Sequence, residues 1–126
     1  MKVHHIGIIV KNIEKSLRIY EKLKYTPISD LTYDEIQKIK ILFIKSFDQS
    51  QVLELIESCD ETSSIYNFKD GYHHICYEIN DNNFMESFKN MRIGKIFTKI
   101  HYAPAIDNRK VIFGCLANGT FVEFLL

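Results

Sequence analysis

Apolar and polar positions alternate from Val3 to Val10, with Ile6, Ile8 and Val10 on one side of the chain and His5, Gly7 and Ile9 on the other. Period two predicts a half-buried strand. After Asn12, a helix-capping residue type, Ile13, Leu17, Tyr20 and Leu23 fall at helical spacing and predict an amphipathic helix. A weaker strand is expected over 24–31. Two apolar runs at 36–46 and 51–57 flank the turn-forming Asp48-Gln49-Ser50, as in a hairpin. The first half therefore reads βαβββ.

The same order returns. VHHIGIIV at 3–10 reappears as YHHICYEI at 72–79, and a shift of 69 that carries His5 onto His74 also carries Glu54 of VLELI onto Glu123 of FVEFL. Phe84, Phe88 and Met91 repeat the four-then-three spacing of Ile13, Leu17 and Tyr20 at a shift of 71, so two extra loop residues precede a second helix, with Asp81 as its expected cap and Gly94 as its end. Strands are expected at 95–102, 110–116 and 120–126, the last two joined by Asn118-Gly119. One domain over 1–126 follows, with module one at about 1–57, a polar linker at about 58–70 carrying one helical turn near 64–68, and module two at about 71–126.

Sorting each strand by face puts His5, Glu54, His74 and Glu123 opposite the greasier side that the helices would cover. His4 and His73, one residue earlier, fall by the same alternation on the other face. Taken alone, a strand histidine is more often a satisfied polar residue, and a strand glutamate an exposed ion-pair partner. The shared shift and shared facing are what that account leaves unexplained. Two imidazoles and two carboxylates form a mixed nitrogen and oxygen set suited to one divalent metal with open positions. Buried carboxylates are costly without such a cation.

Composition narrows the partners. The 16 basic and 16 acidic residues cancel, which argues against nucleic acid or an anionic membrane surface as a partner. No run approaches the ~20 apolar residues of a bilayer span, and the N-terminus does not read as a signal peptide. The 3 cysteines, Cys59, Cys76 and Cys115, suggest no disulfide framework, so a cytoplasmic location is expected. Cys76 falls on the His74 face as a pocket-lining thiol, not a nucleophile. Exposed sheet edges favour a homodimer.

These residues resemble the glyoxalase/bleomycin-resistance/dioxygenase superfamily, also called vicinal oxygen chelate proteins. His5 in HHIGIIV, Glu54 in LELIE, His74 in GYHHICYEI and Glu123 in FVEFLL look like its four metal ligands. The resemblance implies an α+β fold whose two βαβββ modules form a curved, mostly antiparallel eight-stranded sheet around the metal. GYHHICYEIND and Asn108–Phe113 are most similar to methylmalonyl-CoA epimerases. The His/Glu/His/Glu set resembles nickel- or cobalt-dependent bacterial glyoxalase I, so nickel or cobalt is favoured, with zinc or manganese as alternatives. Two departures stand out. Leu116-Ala117-Asn118-Gly119 replaces the Asp-Pro-Asp-Gly-type turn of many glyoxalases, and the strand that carries a second carboxylate base in some epimerases offers only Lys40 and apolar residues, with Asp34 and Glu35 nearby.

The resemblance implies a metal-dependent epimerase or isomerase that abstracts a proton beside the carbonyl of an acyl thioester, with Glu123 and Glu54 as catalytic carboxylates. Lactoylglutathione lyase, acting on a hemithioacetal, is the alternative, and a non-catalytic small-molecule binder of the same fold is a further one. Arg109 and Lys110 are expected to hold an anionic part of the substrate.

Overall fold

The computed structural model describes every residue, Met1–Leu126. Module one runs β1 (Lys2–Ile9), α1 (Ile13–Lys22), β2 (Thr26–Pro27), β3 (Thr32–Asp34), β4 (Ile39–Lys45) and β5 (Val52–Ser58). Module two repeats it as β6 (Gly71–Glu78), α2 (Phe84–Met91), β7 (Gly94–Ile96), β8 (His101–Ala103), a 3₁₀ turn at Pro104–Ile106, β9 (Arg109–Leu116) and β10 (Phe121–Leu125). The expected eight strands become ten: the strand expected at 24–31 shortens to β2 with β3 added beyond it, and the strand expected at 95–102 divides into β7 and β8. β2 and β3 both pair with β4, and β7 and β8 both pair with β9, so the count changes while the architecture does not.

All ten strands form one open sheet: eight follow the order β2-β4-β5-β1-β6-β10-β9-β7, and β3 and β8 add to β4 and β9 off that path. The modules join edge to edge within the chain through the antiparallel β1–β6 pair, while β1–β5 and β6–β10 are parallel. The hairpins repeat in detail: Phe43 faces Glu54 across β4–β5, and Phe113 faces Glu123 across β9–β10. The shift is 70 on β4 and β9 but 69 on β5 and β10, because the first hairpin turn is one residue longer. It closes Ser46 N–H onto Gln51 O, where the second closes Leu116 N–H onto Thr120 O.

The two faces sort as the alternation predicts. Ile13 of α1 packs with Leu42, Ile44, Leu53 and Leu55, joined by Ile6, Ile8, Val10, Leu17 and Tyr20. Phe84 and Phe88 of α2 pack with Ile112, Val122 and Phe124. Full burial of each such side chain is worth roughly 1.5–3 kcal/mol, which is what holds the helices to this face. The opposite face has its own core, in which Ile39, Ile41 and Phe43 of β4 join Val111 of β9 together with Ile9, Cys76 and Leu125. β4 and β9 lie five strand spacings apart, roughly 24 Å in a flat sheet. Their inward side chains line one small cavity, so the sheet must curl around it.

Local boundaries depart from expectation where side chains find other partners. Asn12 caps α1 by accepting from Lys15 N–H at 2.9 Å, as predicted. At α2 the N-cap is Asn83, while Asp81 accepts from Asn83 N–H and Ser87 Oγ, bracing the turn before the helix. The helix ends on left-handed Arg92, φ 55°, and Gly94 opens β7 instead. The linker forms successive turns with no helix, and carries the buried Ile65 onto the inner core. No helix is long and apolar enough to cross a membrane.

Candidate metal centre

β5, β1, β6 and β10 are adjacent in the sheet, and each contributes one inward residue: Glu54, His5, His74 and Glu123. All four are buried, none more than 6% exposed. His5 Nε2 lies 2.7 Å from Glu54 Oε2 and 3.8 Å from Glu123 Oε2, and His74 Nε2 lies 3.0 Å from Glu123 Oε2 and 3.4 Å from Glu54 Oε2. The two Nε2 atoms are 3.2 Å apart. Donor–metal bonds of about 2.1 Å separate neighbouring donors by roughly 3.0–3.4 Å in octahedral or tetrahedral arrangements. The observed spacings bracket that range, so the residues fit a single cation.

Electrostatics point the same way. Glu54 Oε2 is buried, and the polar groups beside it are the Nε2 atoms of His5 and His74, so its charge must be met by those two rings or by a cation. Burial alone would push His74 down, yet the Glu123 and Glu54 carboxylates outweigh it and raise its pKa to about 9. Burial alone would raise Glu54, but the His5 charge and hydrogen bonds from His5 and His74 hold it well below the usual carboxylate range. Two buried carboxylates thus demand positive charge between them, and a proton on His74 meets that demand when no cation does.

The histidines before the ligands depart from the alternation. His4 and His73 each sit in a β-bulge of the β1–β6 ladder, which turns their rings toward the ligands. His4 Nδ1 lies 2.8 Å from His5 Nδ1, and His73 Nδ1 lies 2.9 Å from His74 Nδ1. Burial, then the charge of His74, lowers the pKa of His73 to about 4, and burial, then the charge of His5, lowers that of His4. Phe43 packs edge-on against His5, and Phe113 against His74, at centroid distances of 5.1 and 5.3 Å. Gly7 pairs with His74 on β1–β6, and a Cβ there would run into the His74 ring.

A cavity of about 30 Å³, room for about one water, adjoins the ligands. Ile39, Ile41, Ile65, Ala105 and Ile106 help to wall it. His101 also lines it, and this residue was not singled out from the sequence. Its ring lies parallel to Phe113 at 6.1 Å, Nδ1 is 3.3 Å from Lys99 O, and Nε2 is buried without a partner. His101 opens β8, a strand of 3 residues that is too short to show a period. Asp34 is buried in the wall too, but its carboxylate is engaged by the Ile36 and Gln37 N–H groups and by Gln37 Nε2, while Glu35 is exposed.

The structure does not bring Arg109 and Lys110 to the cavity. Arg109 Nη1 pairs with Glu78 Oε1 at 3.1 Å, and Lys110 lines an outer groove beside α2. Cys76 lies on the inner face as expected but is wholly buried in the core and lines no part of the cavity. Burial and the two carboxylates push its thiol up, which makes it a poor nucleophile.

The fold recurs in solved structures. A methylmalonyl-CoA epimerase from Mycobacterium tuberculosis matches with a TM-score of 0.82 and 17% identity over 98% of this chain and 85% of that one. A variant of the Streptomyces coelicolor methylmalonyl-CoA epimerase, in complex with 2-nitronate-propionyl-CoA, matches at 0.80 and 15% over 99% and 96%. A hypothetical protein of Bacillus halodurans C-125 matches at 0.80 and 24% over 98% and 92%. No curated protein sequence matches the chain. A family model matches residues 4–113, and by that match the chain belongs to the Glyoxalase/Bleomycin resistance protein/Dioxygenase superfamily.

Proposed function

We propose that this protein is a metal-dependent epimerase or isomerase that moves a proton beside the carbonyl of an acyl thioester, in the manner of a methylmalonyl-CoA epimerase. The observation that carries the reading is the buried set His5, Glu54, His74 and Glu123 beside a small cavity. The solved epimerases that share the fold, one of them holding an acyl-CoA analogue, support the choice of substrate class. A divalent cation held by the four residues, with nickel or cobalt favoured, supplies Lewis acidity toward a carbonyl oxygen.

Glu123 is the base in this reading. Its carboxylate takes the proton from the carbon next to the carbonyl, and the electron pair of that C–H bond moves onto the carbonyl oxygen. Glu54, its repeat-related counterpart beside His74 Nε2, relays a proton from solvent to the other face of the carbon, and the proton held by Glu123 is released to solvent. His101 offers an unpartnered Nε2 to any substrate atom in the cavity. The space beside the ligands holds about one water, so the segments that carry Ile65 and Ile106 must shift to admit an acyl group. Arg109 and Lys110 serve in this reading only as contacts for an anionic remainder of the substrate outside the cavity, and the active species is a cytoplasmic homodimer.

The test is elemental analysis of the purified protein, followed by incubation with a single epimer of methylmalonyl-CoA in deuterated water. One equivalent of metal, racemisation and deuterium at the reacting carbon are expected. Metal uptake with no turnover of acyl thioesters, but isomerisation of the methylglyoxal–glutathione hemithioacetal, would move the assignment to lactoylglutathione lyase, a reading the His/Glu/His/Glu set also supports. Absence of metal would leave a small-molecule binder.

A further inference from the structure

The two ligand histidines are each preceded by a second histidine, and the backbone treats both pairs alike. On β1–β6, Val3 pairs with Tyr77 and His5 with Cys76, so two steps along β1 match one along β6 and His4 is the extra residue. Further on, Gly7 pairs with His74 and Ile8 with Tyr72, so His73 is the extra residue on β6. An extra residue in a ladder re-aims its side chain. Here it brings each leading ring edge-on to the following one, at interplanar angles of 79° and 86°, with the two Nδ1 atoms at hydrogen-bond distance.

A neutral imidazole has one N–H and one lone pair. If Nε2 of His5 or His74 is to donate its lone pair to a cation, the proton must sit on Nδ1 and needs an acceptor. The only ring atom placed to accept it is the neighbour's Nδ1, which can do so only when that neighbour carries its own proton on Nε2. The two bonds therefore set the tautomers of four rings at once. A carboxylate is a common partner for a ligand histidine, but it would add negative charge. A neutral imidazole leaves Glu54 and Glu123 to balance a divalent cation unaided.

We propose that His4 and His73 are positioning residues, which accept the Nδ1 protons of His5 and His74 and so hold both Nε2 lone pairs toward the metal. This rests on the metal-site reading above. The device recurs at both ligands, although the repeat has diverged around it: Gly7 beside His74 corresponds to Cys76 beside His5.

The experiment compares His4→Asn and His73→Asn, in which Oδ1 takes over the acceptor position of Nδ1, with His4→Phe and His73→Phe, which keep an aromatic ring and lose the acceptor. Zinc affinity is read by chelator competition, and ring tautomers by long-range proton–nitrogen spectra of the zinc-loaded wild type. Each Phe variant is expected to bind zinc about 10–100-fold more weakly, the usual cost of losing an outer partner, and each Asn variant to stay within a few-fold of wild type. Phe variants equal to wild type, or Asn variants as weak as Phe, would overturn the proposal while the metal reading stands. A wild type that takes up no zinc, nickel or cobalt would sink both. Should the Phe variants fail to fold, the wild-type spectra decide: His4 and His73 protonated on Nδ1 instead of Nε2 would refute it.

Discussion

Gly7→Ala is the smallest change that should disable the site. A methyl built on Gly7 falls 2.8 Å from His74 Nε2 and closer still to Cε1 and Nδ1 of the same ring. Ordinary contact distances are about 3.5–4.0 Å, so even the farthest of these atoms must retreat by roughly 0.7 Å. Metal–donor distances tolerate only about ±0.2 Å, which makes that retreat several times too large for His74 to remain a ligand. The ring cannot tilt freely to compensate, since Phe113 packs against it at 5.3 Å and His73 holds its Nδ1. Overpacking of this kind costs about 1–3 kcal/mol, little enough for the domain to stay folded. The expected outcome is a cooperative melt at somewhat lower temperature, with metal affinity down by more than the ~10–100-fold of a lost outer partner. Calorimetric titration with zinc or nickel, beside circular dichroism to confirm folding, reads both. A folded Gly7→Ala protein that binds metal as tightly as wild type would show that His74 does not ligate from this position.

Four further outcomes are expected. Glu123→Gln keeps one acceptor oxygen but not the basicity, so metal should be partly retained while turnover and solvent deuterium exchange fall by on the order of 10²–10⁴-fold; unchanged exchange would move the base elsewhere, with Glu54 first. Because the metal-free site holds a proton on His74 up to about pH 9, binding should release that proton and affinity should rise about tenfold per pH unit below 9; calorimetry in two buffers of different ionisation enthalpy checks it, and a pH-independent affinity would refute it. The same raised pKa means the stability it lends the metal-free protein is fully present below about 6.5 and is lost as pH rises through about 9, a loss that metal should abolish in urea titrations. His101→Phe preserves the ring stacked on Phe113 and removes the unpartnered Nε2, so metal uptake should be unchanged while kcat/KM falls by about 10–100-fold, the cost of an unmet hydrogen bond; full activity would make His101 a wall residue only.

Periodicity was enough to reveal the doubled βαβββ plan, the helix-facing residues Ile6, Ile8, Leu53 and Val122, and the inward side of His5, Glu54, His74 and Glu123, because side-chain facing along a strand is a local property of the pleat. The shift of 69 marked the four residues as related. Their convergence within hydrogen-bond distance depended on β5, β1, β6 and β10 lying side by side, which is a matter of which edges join. His4 and His73 show the limit most clearly. Alternation sends them to the helix face, and they turn inward because β1 and β6 are out of step by one residue at each, a mismatch that exists only between two paired strands. For the same reason Gly7 is an ordinary strand glycine until β6 lays the His74 ring over it. His101 and Ile65, on a three-residue strand and a turn, carry no period at all, and only the curl of the sheet brings them to the cavity wall. The chain's own chemistry chose the donors; pairing, register and curvature, set by contacts between residues far apart in sequence, decided where those donors meet and what stands behind them.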